Sequence, residues 1–169
     1  LTGDDLPQLF GYFASHTNAS MQYMGVGKAK IDEKITGDEA DSLTITTKPV
    51  MDGSTKNMPY DTDGKPVKEL TLFENGVCKS FWGSTQHAYY LKLEDASMIN
   101  NCITSGGSMS IDEMRKQPHV EITDFSAFLM DAVSGNFGGE IRLGYESDGV
   151  ERHPIVGGSL SANFANVLK

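Results

Sequence analysis

No stretch of this chain approaches the roughly 18 consecutive apolar residues that a membrane helix needs, so no membrane association is expected. Leu1-Thr2-Gly3-Asp4-Asp5 has neither the basic start nor the apolar core of a signal peptide. Basic residues are few: 14 Lys and Arg stand against 23 Asp and Glu, for a formal charge of −9. Affinity for nucleic acid comes largely from Lys and Arg. With no basic stripe, nucleic acid is not an expected partner, and the excess acid serves solubility. Cysteine is scarce too. Cys78 and Cys102 are isolated, without CxxC spacing, which suits a reducing compartment and a cytoplasmic location. A Cys78–Cys102 bridge is the lesser alternative. Prolines number six and glycines 18, a balance that points to turns and strand irregularities rather than disorder. The 169 residues fit a single domain, 1–169, and a chain that starts at Leu1 rather than Met is expected to be a piece of a longer protein.

Catalytic motifs are missing as well. A zinc peptidase needs two His on one helix face with a Glu beside the first. His16, His87, His119 and His153 are all more than five residues apart, and none is followed by Glu. Gly106-Gly107-Ser108 and Gly157-Gly158-Ser159 lack the second glycine of a serine nucleophile elbow. Cys78 lies beside Lys79 with no neighbouring His to activate it. Gly25-Val26-Gly27-Lys28 lacks the spacing of a phosphate loop. The acids at Asp4-Asp5, Asp61/Asp63 and Glu94-Asp95 read as solvated turn residues, since a calcium loop needs more alternating oxygen ligands. Phe81, Trp82, Tyr89 and Tyr90 could stack on a ligand, but a core cluster beneath a sheet is the favoured reading. No catalytic residue and no metal ligand is therefore assigned.

What is present is mostly strand. Leu6, Leu9, Phe10 and Phe13 at helical spacing predict a helix that fades through Ser15–Asn18, with Asp4 or Asp5 as its cap. Leu43–Thr47 and Lys68–Phe73 read as strands, and Glu74-Asn75-Gly76 is the strongest hairpin signal in the chain, returning as Val77–Trp82. Ser84–Leu91 reads as a short helix or bend, and Ser97–Gly107 as a polar connection. Ser110-Ile111-Asp112-Glu113 is a capping box that starts a helix stopped by Pro118. Val120–Thr123, Phe125–Val133, Gly139–Tyr145 and Val150–Val156 read as strands, the last two joined by a turn at Ser147-Asp148-Gly149, and Leu160–Leu168 as a terminal helix. With strands dominant and no regular βαβ spacing, the class is α+β: a mainly antiparallel sheet with a few flanking helices.

The glycine-rich segments carry a resemblance. Pro59–Gly64, Leu72–Val77, Ser84–Leu91, Gly106–Met114, Asp124-Phe125-Ser126 with Gly135–Ile141, and Val156–Ser161 resemble, in order, segments of the C-terminal domain of the TldD/PmbA family. The family's proteins are described as modulators of DNA gyrase and are linked to proteolysis and peptide maturation. The resemblance implies that family's C-terminal fold. Catalytic members hold zinc with an HExxxH helix and a distant Cys. This chain has neither that helix nor a Cys after Gly157, so it is more similar to the PmbA-type (TldE-like) subunit, with zinc expected only in a catalytic partner. The implied partners are a TldD-like subunit, or a second copy in a homodimer, and an extended peptide. Sheet physics then makes Phe137, Gly138, Gly139, Gly157 and Gly158 the candidate peptide-binding or interface residues, since the glycines have no side chain to obstruct an approaching backbone. The equally weighted reading is that these glycines allow sheet curvature. A plain interaction or scaffold domain, and a hydrolase with an unrecognised site, are the alternative functions.

Overall fold

The computed structural model describes residues 1–94 and 96–168. The chain divides into two compact units, one built of Leu1–Tyr12 with Gly107–Lys169 and the other of Phe13–Gly106. The division falls inside the first helix, α1 (Leu6–Thr17).

In the Phe13–Gly106 unit, α1 runs past the expected fade at Ser15. The Thr17 hydroxyl folds back onto the Phe13 carbonyl at 2.9 Å, and His16 is buried with its Nδ1 accepting from the Lys28 N–H at 3.2 Å. The Asn18 carboxamide then caps a second helix, α2 (Ala19–Tyr23), by accepting from the Ser20 N–H at 2.8 Å. Four antiparallel strands follow: β1 (Ile45–Lys48), β2 (Leu70–Glu74), β3 (Val77–Cys78) and β4 (Asn101–Thr104), in the order β3-β2-β1-β4. Asn75-Gly76 forms the expected two-residue turn, with φ of 52° and 79°. Its returning strand is shorter than the sequence suggests, because helix backbone competes for it. Lys79 still donates to Leu72 O, but the Trp82 N–H then donates to Thr17 O at 3.1 Å and its carbonyl accepts from Ala19. β4 replaces the polar connection expected over Ser97–Gly107. Asn101 is tolerated there at 6 % exposure because its amide donates to Lys48 O at 3.0 Å and its carbonyl accepts from Ser54. Helix α3 (Thr85–Leu91) begins at the cap Ser84. Phe13, Ile45, Leu70, Leu72, Phe73 and Cys78 form the core, with Phe13 edge-on to Phe73 at 5.3 Å.

Cys78 and Cys102 are both free. They lie on β3 and β4, the opposite edges of this sheet, and three strand spacings put about 14 Å between them, too far for a bridge.

The other unit begins with α4 (Ile111–Met114), held by the anticipated capping box. Then come β5 (His119–Met130), β6 (Asn136–Ser147), β7 (Arg152–Ile155), β8 (Ser159–Asn163) and α5 (Phe164–Val167). β5 is one strand where the sequence suggested two. Register shifts between Ile122 and Ala127 absorb the break. β6 is central: β5 pairs along one side, and β7 and β8 share the other. The terminal helix expected over Leu160–Leu168 begins as strand and turns helical only at Phe164. The open side of β6 at Asn136–Glu140 captures Ser159–Asn163, leaving four residues of helix capped by Asn163. Phe164 lies edge-on to Phe10, Tyr12 and Phe137, with ring centroids 5.7 to 6.5 Å apart. Phe164→Ala is therefore expected to destabilise this unit by about 3 kcal/mol, measured by urea unfolding; a cost below about 1 kcal/mol would contradict this packing.

Candidate functional site

Phe137, Gly138 and Gly139 lie on β6, and the structure gives each a partner on both sides: Met130, Leu129 and Phe128 of β5, and Ala162, Ser161 and Leu160 of β8. The close approach that the glycines permit is made by the chain's own neighbours. A Cβ on Gly139 would collide with the Ala127 carbonyl and come within 2.7 Å of the Phe125 ring, which crosses the glycine. A Cβ on Gly138 would stand 2.8 Å from the Leu160 carbonyl. Gly157 and Gly158 join β7 to β8 with φ of 82° and 83°, a left-handed pair that L side chains resist. Both bond to one residue of β6: Gly157 N–H donates to Ile141 O at 2.9 Å, and Gly158 O accepts from Ile141 N–H at 3.0 Å. Two residues opposite one make a bulge. β7 and β8 are thus one edge strand broken at this glycine pair.

The two halves of that edge differ. β7 reads Arg-His-Pro-Ile, with charge and a proline that cannot donate to an incoming strand, devices that blunt an edge. β8 reads Ser-Leu-Ser-Ala-Asn, with neither. Antiparallel pairs alternate between bonded and non-bonded positions. Phe164 N–H donates to Gly135 O at 2.7 Å, and Gly158 O accepts from Ile141. This phase turns the backbones of Leu160 and Ala162 toward β6 and those of Ser159, Ser161 and Asn163 outward. Ser159 and Ser161 are exposed.

A second constellation escaped the sequence reading. Glu121 is 6 % exposed yet charged. Arg115 grips its carboxylate with two bonds of 2.7 and 3.0 Å, Arg152 donates at 3.2 Å, and the Thr2 hydroxyl donates at 3.1 Å. Arg152 also stacks 3.5 Å above the Tyr145 ring. The bonds from Arg115 pull the Glu121 carboxyl down to about 2 from the usual 4.5. Such a group cannot carry protons near neutrality; it clamps α4 and β7 to β5. The signal available in the sequence was an acid between Val120 and Ile122, with Arg115 six residues before it. Beside the clamp, Leu6, Ile111, Met114, His119 and Val120 line a groove of about 340 Å³.

Among the described residues no three His, Cys, Asp or Glu side chains gather as a metal site. The histidines lie apart and are engaged locally: His87 with the Ser84 hydroxyl at 3.0 Å, His119 with Gln117 O at 2.6 Å, His153 beside Glu151 at 3.6 Å. Burial pushes the Cys78 thiol up to about 11, unfavourable for a thiolate ligand or nucleophile. These donors do not fit a zinc centre. Of the turn acids, Asp61 accepts from Asp63 and Lys65 N–H groups at 2.9 Å, as a turn residue does; Asp95 lies outside the described residues.

The expected aromatic core cluster is overturned for the tyrosines. Tyr89 is 80 % exposed and Tyr90 47 %; Tyr90 packs against Tyr23 and His87, and Tyr89 meets the Tyr90 ring. Phe81 and Trp82 are half-buried, and Trp82 is tied inward by its Nε1 donating to Ala14 O at 2.7 Å.

Fold and site together define an α+β domain of antiparallel sheets flanked by short helices. Over residues 4–169 the chain matches the PmbA/TldA metallopeptidase C-terminal domain, and it belongs to that family. A metalloprotease of Methanothermobacter thermautotrophicus is 27% identical over 193 residues, taking in 100% of this chain and 39% of that protein. A proposed modulator of a DNA gyrase from Thermotoga maritima shares the fold with a TM-score of 0.80 and 23% identity, over 96% of this chain and 40% of that one. TldE from Thermococcus kodakarensis does so at 0.76 and 16%, over 100% of this chain and 41% of that one. The chain thus spans about two fifths of the length of these relatives. The family resemblance and the α+β class read from the sequence both hold. Among the described residues no helix is long and apolar enough to cross a membrane.

Two measurements probe these constellations. Gly139→Val is expected to cost about 3 kcal/mol in urea unfolding, since a backbone carbonyl and a packed ring cannot both yield; a neutral result would contradict the packing. Glu121 has a folded pKa below its unfolded one, so its contribution is complete above pH 4.5 and disappears as pH falls through 2. Glu121→Gln is expected to lose about 2 kcal/mol at pH 7 and to flatten that acid limb; an unaltered limb would show that the clamp does not set it.

Proposed function

We propose that this chain acts as the non-catalytic, PmbA-like subunit of a zinc metallopeptidase pair, contributing peptide binding and subunit assembly in proteolysis or peptide maturation. The observation that carries the reading is the β8 edge. Ser159, Ser161 and Asn163 turn backbone N–H and C=O groups outward from a strand with no charge and no proline. An extended peptide that adds to such an edge gains main-chain hydrogen bonds without demanding a particular sequence. Phe137, Gly138 and Gly139 seat β8 from behind, and Gly157 and Gly158 end the usable edge before charged β7 begins. Family membership supports the proteolytic context. The donor set, which fits no zinc centre, supports assigning zinc and the cleavage step to a TldD-like partner subunit.

Ser161→Pro removes one outward N–H while leaving the bonds to β6, and proline is tolerated on an edge. A fluorescent unstructured peptide is expected to bind the Ser161→Pro protein at least about tenfold more weakly than the parent, at an unchanged thermal midpoint. Equal affinity would remove the edge from the binding role. Copurification with an HExxxH-bearing subunit tests the pairing. Stoichiometric zinc and chelator-sensitive peptide cleavage by this chain alone would overturn the non-catalytic assignment.

A further inference from the structure

The Asn75-Gly76 turn is the single Asn–Gly step in the sequence. The other asparagines precede residues with side chains, which shield the following amide nitrogen; Gly76 offers no such shield. Asn75 is exposed. Three bonds from one neighbouring segment hold the turn. Gly76 N–H donates to Leu43 O at 2.7 Å, the Ser42 hydroxyl donates to Asn75 Oδ1 at 2.6 Å, and Asn75 N–H donates to Thr44 Oγ1 at 3.3 Å.

We propose that Asn75 is a site of spontaneous covalent modification, deamidating through a cyclic imide, and that the Ser42–Thr44 segment is the latch that holds this reaction in check. In the reaction, hydroxide takes the Gly76 amide proton and the freed nitrogen bonds to Asn75 Cγ. The Cγ–Nδ2 bond breaks and ammonia leaves with a proton from water. Water then adds to either imide carbonyl and opens the ring to aspartate or isoaspartate, with no change of oxidation state. Both reacting groups are tied down in the fold. The attacking nitrogen's proton is committed to Leu43 O, and the Asn75 carboxamide is turned toward Ser42. Reaction requires the latch to open.

The two products differ structurally. Asp-Gly adopts the same two-residue turn as Asn-Gly, so aspartate keeps the Phe73↔Cys78 and Glu74↔Val77 pairs. Isoaspartate adds a backbone methylene to a turn of fixed length, and that register cannot be kept.

The test is ageing at mildly alkaline pH, with peptide mass mapping and chromatography that separates the two acids. The samples are the folded parent, the parent in urea, and Ser42→Ala and Ser42→Thr variants whose folding is confirmed by circular dichroism. The urea sample is expected to convert at Asn75 before any other asparagine. The folded parent and Ser42→Thr, which retains the hydroxyl, are expected to be many-fold slower, and Ser42→Ala several-fold faster than the parent. Failure of Asn75 to convert first in urea overturns the site. A folded parent as fast as the urea sample overturns the protection, and a Ser42→Ala rate equal to the parent's, or a Ser42→Thr rate as fast as Ser42→Ala, overturns the latch.

Discussion

The structure of the second half depends on one constraint: β6 forms hydrogen bonds along both sides. At Gly138 and Gly139 the flanking backbones come so near that a Cβ would meet the Leu160 carbonyl of β8 or the Ala127 carbonyl of β5. That is why these two positions are glycine, and why the Phe125 ring can lie over Gly139. The same constraint forces irregularity outward. β5 absorbs its mismatch in shifts between Ile122 and Ala127, and the opposite edge absorbs its own at Gly157-Gly158, facing Ile141. Glycine is thus used for two unrelated purposes in one sheet, close approach in the centre and left-handed backbone at the edge.

Charge is distributed according to the same geometry. The fixed carboxylate, Glu121, is surrounded by two guanidinium groups and a hydroxyl, and its depressed pKa measures how fully its lone pairs are used. A carboxylate so satisfied has no role in general acid–base chemistry near neutral pH. The Cys78 thiol fails for the opposite reason, since burial holds it protonated. The groups with perturbed ionisation are structural, so the functional argument passes from side chains to backbone.

Legibility in the sequence followed the range of the interaction. Turns and caps were readable because their chemistry is local: Asn75-Gly76, the Ser110–Glu113 box and the Ser147–Gly149 turn all stand where their residue types place them. The ordered segments that carry the family resemblance are largely of this kind. Features decided by a distant partner were not readable. Ser159–Asn163 has no strong strand preference and became a strand because β6 had an open side. Asn101 joined β4 because Lys48 and Ser54 could satisfy its amide. Glu121 looked like an ordinary strand acid until Arg115 and Arg152 were brought to it. Tyr89 and Tyr90 were assigned to a core on composition, yet both are exposed.

The β8 edge can be weighed against edges that the chain blunts, although the outer side of β4, Asn-Cys-Ile-Thr, is uncharged and without proline as well. At its N-terminal part, β5 is covered by Thr2, whose N–H donates to Ile122 O at 2.9 Å. β7 carries Arg152, His153 and Pro154. A strand that presents outward backbone groups with no such protection invites pairing with other chains, a hazard that proteins normally blunt. Small uncharged residues make β8 worse as a free edge and better as a template: nothing on Ser159, Ser161 or Ala162 obstructs an added strand, and nothing selects its sequence. Under the proposed function, an edge left open while its continuation is closed off two glycines away is an edge to be covered. On the proposed function the cover is an extended peptide. Its contribution is then main-chain bonding over about five residues, which fits recognition of unfolded segments and not of a particular side chain.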